Sequence, residues 1–178
     1  MGSGAVLWMT GLSGAGKSTL ASGAGRVLRS LGHRVIVLDG DSVRAGLSRD
    51  LGFSPEDRRE NLRRIAEVAS MCAQAGLLAV VACISPRQVD RDRARATIGE
   101  DFHEIYVRAD LNVCEARDPK GLYARARAGL VPDFTGISAP FEPPTHPDLV
   151  VDTVVLNEVR SVQRIVDYVT SHLDIGTE

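Results

Sequence analysis

One octapeptide, GLSGAGKS at residues 11–18, constrains this chain more than any other stretch of its sequence. It fits the pattern G-x-x-x-x-G-K-[ST] and lies between an apolar run, residues 5–10, and a segment of helical character that begins at Lys17. Glycines in such a loop let backbone N–H groups converge on phosphate oxygens, and the helix N-terminus adds its positive end. The motif and its position therefore predict a P-loop fold that binds a nucleoside triphosphate.

The residue types of this loop have distinct chemical roles. We expect Lys17 to neutralise the β- and γ-phosphates, and the Ser18 hydroxyl to bind Mg²⁺. The sequence holds no Asn-Lys-x-Asp element for guanine, which argues against a GTPase switch. The residues predicted to bind the triphosphate nucleotide are Gly11, Leu12, Ser13, Gly14, Ala15, Gly16, Lys17, Ser18 and Thr19.

Strand-like and helix-like segments alternate from one end of the chain to the other. Short apolar runs predict strands at 5–10, 35–38, 77–84, 103–107 and 150–153. Helical patterns lie between them, at 17–31, from Ser54 to about Gly76, at 88–98, as two short helices within 113–127, and at 158–173. This order predicts an α/β fold, a nucleoside-kinase-like P-loop NTPase with a parallel five-stranded sheet and helices on both faces. We expect one domain over residues 1–178.

Two local signals refine this prediction. The sequence SPED at residues 54–57 is typical of a helix start, with serine as N-cap and proline at the first helical position. Residues 129–148 hold five prolines and two glycines and show neither helical nor strand periodicity. A loop of that length in a compact domain is usually functional. We therefore expect a lid segment at about 119–148.

Composition limits the partners of the protein. A formal net charge of −2 argues against binding of a nucleic acid polymer. No apolar stretch approaches the roughly 18 residues of a membrane span, and no export signal is recognisable. We therefore expect a cytoplasmic protein without membrane contact. Its cysteines, Cys72, Cys83 and Cys114, are expected to be buried thiols of a reducing compartment.

Two carboxylates follow the second predicted strand, at Asp39 and Asp41. The strand at 77–84 is followed by Ser85-Pro86, so the acid that P-loop enzymes often carry there must come from elsewhere. Because parallel strands end at one edge of the sheet, these two acids should face the P-loop. They are able to hold Mg²⁺ through water and to accept the proton of an attacking hydroxyl. A turn in which Asp41 only caps the next helix is the alternative.

Basic and amide side chains near these acids suggest an anionic acceptor. Arg44 follows Asp41 by three residues, and Arg58 and Asn61 are i,i+3 neighbours on one helix face. Arginine forks match phosphate or sulfate oxygens bidentately. Solvated surface charges are the alternative for each arginine taken alone.

Several segments together resemble adenylylsulfate (APS) kinases, over about residues 6–153. They are GLSGAGKST, LDGDSVRAGLSRDLGFSPEDRRENLRRIAEVA, ISP, RDPKGLYARAR and FTGISAPFEPP. Enzymes of this family transfer the γ-phosphate of ATP to the ribose 3′-hydroxyl of adenosine 5′-phosphosulfate (APS), which gives PAPS and ADP in sulfate assimilation. The resemblance implies ATP as co-substrate and Mg²⁺ as cofactor.

The resemblance also implies roles for individual residues. Asp41 would be the catalytic base, and Lys17 and Lys120 would neutralise the transferring phosphoryl group. Phe53 and Phe134 would enclose the adenine of APS; for a lone phenylalanine, core packing is the alternative. The full APS site would comprise Asp39, Asp41, Arg44, Phe53, Arg58, Asn61, Ile84, Ser85, Lys120 and Phe134.

Ser85 is marked in this family as a phosphoserine intermediate. We expect direct transfer instead, with Ser85 as a hydrogen-bond donor to substrate. Arg91 and Arg95 also match the family, and we expect them on a solvated helix face. A homodimer is a further arrangement that the resemblance makes conceivable.

Two other functions remain open at this point. A P-loop kinase of another anionic nucleotide or small molecule would keep the loop and Asp41 but lose the set Arg44, Phe53, Arg58 and Asn61. A nucleotide-binding regulatory protein without catalysis would tolerate loss of Lys17, Asp41 or Lys120. All of these residues are present in the chain.

Overall fold

The computed structural model describes residues 4–176, and its centre is a five-stranded parallel sheet. The strand order is β2-β3-β1-β4-β5, and each neighbouring pair is parallel. The predicted strands and their parallel arrangement are confirmed. Their bounds are β1 Ala5–Thr10, β2 Val35–Asp39, β3 Leu78–Ala82, β4 Phe102–Arg108 and β5 Leu149–Asp152.

Helices cover both faces of this sheet, as the alternation predicts. On one face α1 and α7 pack on Leu7 and Met9, while on the other α3 and α4 pack on Val6 and Trp8. All four of these β1 side chains are fully buried, because the strand lies in the middle of the sheet. The helices are α1 Lys17–Ser30, α2 Gly40–Ala45, α3 Pro55–Gln74, α4 Gln88–Ile98, α5 Leu111–Arg117, α6 Leu122–Arg127 and α7 Glu158–His172.

The capping signal at Ser54 correctly identifies the start of α3, whereas no sequence signal predicted α2. Ser54 Oγ accepts a hydrogen bond from the backbone N–H of Asp57 at 3.1 Å, and Pro55 occupies the first helical position. Helix α2 begins directly at the tip of β2, where Asp39 Oδ1 accepts from the N–H of Asp41 at 3.1 Å. Asp39 is therefore the cap of this helix, and the carboxylate of Asp41 is not used for it.

Residues 129–148 lack regular structure apart from one bridge, Thr135 to Ala139, as predicted. The last third of this segment is nevertheless hydrogen-bonded to the loop that follows β3 and to β4. The N–H of Glu142 donates to the Pro86 carbonyl at 2.8 Å, and that of Asp148 to the Glu104 carbonyl at 2.9 Å.

One expectation about α4 is wrong. The side chain of Arg91 is only 1% exposed, and its Nε lies 2.7 Å from Oε1 of the buried Glu104 on β4. The helical pattern of α4 does not show that β4, the next strand along the chain, places a carboxylate against this helix, which is why the sequence indicates a solvated face. Arg95, one turn further along, is 43% exposed.

The three cysteines differ in their exposure to solvent. Cys83 and Cys114 are buried, whereas Cys72 is half-buried on α3. Burial raises the pKa of Cys83 to about 12, so this thiol stays protonated.

Among residues 4–176, the structure has no helix with the length and apolarity that crossing a membrane requires.

Two glycines with a positive φ allow a test of the turn after β1. Gly14 has a φ of +76° and Gly121 a φ of +64°, but a Cβ at Gly14 would lie 2.8 Å from the Cys114 carbonyl oxygen, whereas one at Gly121 meets nothing within 4 Å. Gly121→Ala should lower the free energy of unfolding by about 1 kcal/mol through backbone strain alone. Gly14→Ala should cost at least about 1 kcal/mol more, because a backbone carbonyl must shift. Urea denaturation without nucleotide measures both, and equal losses would contradict the crowded turn.

Candidate active site

The P-loop wraps around the N-terminus of α1 at the carboxyl end of β1. Gly16 (φ +106) is the residue before the first helical residue and adopts a left-handed conformation. The loop is supported from outside, since the Tyr123 hydroxyl donates to the Ser13 carbonyl at 2.9 Å. Such a loop presents backbone N–H groups and a helix N-terminus to an anion.

Lys17 is held inside this loop. Its Nζ donates to the carbonyl oxygens of Gly11 and Leu12, at 2.7 Å each, and the residue is only 8% exposed. Burial lowers the pKa of Lys17 from 10.5 to about 8. Below about pH 8 the side chain is therefore a buried cation, and the uncharged carbonyl groups around it compensate its charge only in part.

Oxygen ligands for a metal meet where β2 ends beside α1. The Ser18 hydroxyl donates to Asp39 Oδ2 at 2.5 Å. A hydroxyl and a carboxylate next to a phosphate site suit Mg²⁺, which binds one or two carboxylates plus substrate phosphates and keeps several waters. Asp41, two residues on, pairs its Oδ2 with the ammonium of Lys120, so the base candidate and the second lysine are in contact.

The two arginines of the predicted acceptor site lie close together. Arg44 donates to the Gly52 carbonyl at 2.7 Å and stacks over the ring of Phe53, 4.4 Å from its centre. Arg58 donates to the Phe53 carbonyl at 2.9 Å. Burial lowers the pKa of Arg44, and repulsion from Arg58 adds to this effect. Two cations that repel each other at the edge of a cavity favour an anionic ligand.

Asn61 adds a neutral polar group to these cations. The residue is 5% exposed, and among residues 4–176 no donor bonds to its Oδ1. A buried amide oxygen without a partner costs free energy, so a ligand that donates a hydrogen bond there would remove a penalty.

Ser85 forms the floor of the site in a strained conformation. Its φ of +38° is rare for a residue other than glycine, and it is 2% exposed. Its Oγ accepts from Trp8 Nε1 at 3.1 Å, and its carbonyl accepts from Arg91 Nη1 at 2.8 Å. Phe134 lies in the lid segment with its ring edge-on to Tyr123 at 5.0 Å, and it is buried. Phe53, in contrast, is 67% exposed.

A single cavity of about 1400 Å³ contains nearly all of the predicted site residues. Ligand pockets usually measure about 300–1000 Å³, so this cavity has room for two nucleotides side by side. Gly11 and Leu12 do not line it and contribute only the carbonyls that hold Lys17. The predicted residues that line it are Ser13, Gly14, Ala15, Gly16, Lys17, Ser18, Thr19, Asp39, Asp41, Arg44, Phe53, Arg58, Asn61, Ile84, Ser85, Lys120 and Phe134.

Sequence reasoning missed Arg117 as a cavity residue. Its guanidinium donates to Thr153 Oγ1 at 3.0 Å and to the carbonyl of Thr153 at 2.7 Å, beside the P-loop. The only signal was its place directly before the Asp-Pro-Lys that carries Lys120. Its distance in sequence from both the P-loop and Thr153 hid the contact.

A P-loop, a metal-suited oxygen pair, two lysines and a carboxylate in one cavity define a P-loop phosphotransferase. Comparison with known proteins identifies the family. The sequence model described as "Adenylylsulphate kinase" matches residues 3–152. The chain therefore belongs to the adenylylsulfate kinase family, and it is an ATP-dependent phosphotransferase.

Individual relatives agree with this assignment. The chain is 56% identical over 165 residues to the adenylyl-sulfate kinase of Oceanobacillus iheyensis, covering 92% of this chain and 83% of that one. It is 54% identical over 165 residues to that of Bacillus pumilus, covering 92% and 84%. The structure resembles the Mycobacterium tuberculosis APS kinase in complex with AMPPNP and APS, with a TM-score of 0.90, 44% identity, and coverage of 95% and 99%.

The lowered pKa of Lys17 predicts a proton exchange on nucleotide binding. Above about pH 8 the free protein has lost this proton, and the phosphates of a bound nucleotide raise the pKa of Lys17 and restore it. Binding of a non-hydrolysable ATP analogue should therefore take up protons above about pH 8, and no uptake by this group should occur well below it.

Calorimetry in two buffers of different ionisation enthalpy measures this uptake. Lys17→Arg keeps the charge without titrating in this range, so it serves as the control and should show no uptake. Equal proton uptake by both proteins would contradict the role given to Lys17.

Proposed function

We propose that this chain transfers the γ-phosphate of ATP to the 3′-hydroxyl of APS, and that Asp41 is the base of this reaction. The observation that carries the proposal is the continuity of one polar path through the cavity. Ser18 of the P-loop contacts Asp39, which caps α2, and Asp41 and Arg44 both lie on that short helix. An acid thus stands between the phosphate site and the cationic acceptor site.

The reaction needs a nucleophile, charge neutralisation and alignment. Asp41 accepts the proton of the 3′-hydroxyl as its oxygen attacks the γ-phosphorus, and the bond to the β,γ-bridging oxygen of ATP breaks. Lys17 and Lys120 neutralise the charge that spreads over the transferring oxygens. Lys120 must leave Asp41 to do so, since the two side chains are paired with each other in the structure.

Mg²⁺ fits the oxygen pair of Ser18 and Asp39, with Asp41 able to contribute through water. When bound, the ion would withdraw charge from the phosphates of ATP and so favour attack on the γ-phosphorus. The role of the protein is to hold the Ser18 hydroxyl and the Asp39 carboxylate at one end of α1, 2.5 Å apart.

The acceptor end of the cavity suits the chemistry of APS. Arg44 and Arg58 would bind the phosphosulfate oxygens, and Asn61 would accept a hydrogen bond from the ligand at its unpartnered Oδ1. Phe53 and Phe134 would enclose the adenine, while Ile84 and Ser85 form the floor. Exposure of Phe53 supports a ligand role, because a ring that is 67% exposed is not packed in a core.

Residues of the segment 119–148 would close over both nucleotides. This segment carries Lys120 and Phe134, and Thr135 of the same segment accepts from Arg58 at 3.4 Å. Closure would exclude water, which otherwise competes with the acceptor for the γ-phosphate. The single domain, the homodimer and the cytoplasmic location remain predictions of the sequence.

Product formation from ATP, Mg²⁺ and a panel of hydroxyl acceptors tests the proposal. PAPS and ADP should form in equal amounts with APS, and sugars or unsulfated nucleotides should react far more slowly. Comparable rates with another anionic acceptor would favour the alternative, a P-loop kinase of a different small molecule. Chromatography separates all the products.

Asp41→Asn should fold and bind both nucleotides, while turnover falls by about 100-fold or more, because the amide cannot accept the proton. Asp167→Asn on the exposed side of α7 is the matched control and should keep wild-type activity. Steady-state rates and the affinity for APS measure the effect. Wild-type turnover by Asp41→Asn would rule out this carboxylate as the base.

Ser85→Ala tests direct transfer against a phosphoserine intermediate. The contacts of Ser85 Oγ are Trp8 Nε1 and the Cys83 thiol, neither of which is a base, so an activated nucleophile is not expected there. We expect Ser85→Ala to keep measurable turnover, reduced by about tenfold through the lost hydrogen bonds. Complete inactivity, together with acid-stable label from γ-labelled ATP on wild-type Ser85, would overturn direct transfer.

A further inference from the structure

Arg91 makes a set of contacts that neither the P-loop nor the acceptor site explains. Its side chain is 1% exposed, although arginine is rarely buried without a reason. Four groups surround the guanidinium. Nη1 donates to the Ser85 carbonyl at 2.8 Å, Nη2 donates to Gln88 Oε1 at 2.6 Å and to the Glu142 carbonyl at 2.8 Å, and Nε lies 2.7 Å from Glu104 Oε1.

Two of these contacts, to Ser85 and to Glu142, join parts of the site that are far apart in the sequence. Ser85 lines the cavity in a strained backbone conformation, and such strain persists only when neighbouring groups hold it. Glu142 lies in the segment that carries Phe134, eight residues after it, and it is also fixed by Gln88 and Pro86. One guanidinium therefore links the floor of the acceptor site to the attachment point of the lid segment.

The buried charge of Arg91 has one close counter-ion. Glu104 on β4 is 3% exposed, and burial raises its pKa while Arg91 and, more distantly, Arg95 oppose this effect. Nε of Arg91 lies 2.7 Å from Oε1 of this carboxylate, so the two side chains form a buried ion pair. Glu104 thus compensates the charge, and Nη1 and Nη2 of Arg91 remain for Ser85, Gln88 and Glu142.

We infer that Arg91 is a positioning residue that couples the lid segment to Ser85 and thereby sets the affinity for the acceptor. The inference rests on the proposed function. Ser85 and Phe134 belong to the acceptor end of the cavity, whereas the P-loop makes no contact with Arg91 among those described for residues 4–176. Loss of Arg91 should therefore weaken use of APS and leave use of ATP nearly unchanged.

The planar fork of arginine is needed for this arrangement. Lysine keeps the charge for Glu104, but its single ammonium cannot reach Ser85, Gln88 and Glu142 in three directions. Arg91→Lys should raise the KM for APS by about tenfold and the KM for ATP by less than about twofold. It should also raise the fraction of ATP that is hydrolysed without formation of PAPS, because the lid closes less well over the acceptor.

Two controls separate positioning from stability. Arg95→Lys lies one turn away on the same helix, approaches the same Glu104 at 3.9 Å and touches neither Ser85 nor Glu142, so it should leave both KM values unchanged. The double variant Arg91→Met with Glu104→Leu removes both buried charges and should fold, since neither ion is left without its partner. It should show the same selective rise in the KM for APS.

Glu142→Ala provides a variant for which folding is not at risk. It removes the 2.7 Å hydrogen bond from the Gln88 N–H to Glu142 Oε2 at the surface, and it should raise the KM for APS in the same direction by a smaller factor. Thermal unfolding of every variant establishes that folded protein is compared.

Steady-state kinetics with varied APS and varied ATP decide the inference. A folded Arg91→Lys or double variant with a wild-type KM for APS would overturn it. A fall in kcat with both KM values unchanged would overturn it as well. If neither variant folds, an unchanged KM for APS in Glu142→Ala overturns it. A wild-type protein without APS-dependent ADP release would contradict the proposed function instead.

Discussion

Parallel pairing of three strands is the constraint on which the site depends. Asp39 lies in register with Ala82 of β3, and Ala82 lies in register with Met9 of β1, so β1, β2 and β3 end at one edge of the sheet. The P-loop leaves β1 there, Asp39 ends β2 and Asp41 follows it, and Ser85 follows β3. The contact between Ser18 and Asp39 at 2.5 Å is a direct result of this register. A slip of one residue would turn these side chains to the opposite face.

The cations at this edge contact protein groups that substrate oxygens are able to replace. Lys17 and Arg44 donate to backbone carbonyls, and Lys120 pairs with the carboxylate of Asp41. Such contacts keep the side chains in place while leaving positive charge uncompensated overall. In the proposed mechanism, exchange of the Lys120 contact for phosphate oxygens would free the Asp41 carboxylate, so that nucleotide binding would be coupled to release of the proposed base.

Local patterns predicted the elements that carry their own signals, and long-range contacts explain the failures. The apolar run before Gly11 and the serine-proline start at Ser54 each determine an element from adjacent residues. Helix α2 was missed because Asp39, at the strand tip itself, caps it, so that strand and helix overlap at one residue. The buried position of Arg91 depends on Glu104 of β4, and the packing of α4 on the sheet, which no periodicity specifies, brings the two side chains together. Pattern alone indicated the acids and arginines of the site, whereas the aromatic residues came only from family resemblance.

A crystal structure of the protein with APS and a non-hydrolysable ATP analogue would show directly whether Asp41 is the base. We expect the 3′-oxygen of APS within about 3 Å of the Asp41 carboxylate and in line with the γ-phosphorus, with Lys120 moved onto phosphate oxygens. The opposite result is equally clear. If Asp41 stayed paired with Lys120 and the 3′-hydroxyl met another group, the base would be a different residue and the mechanism would be wrong.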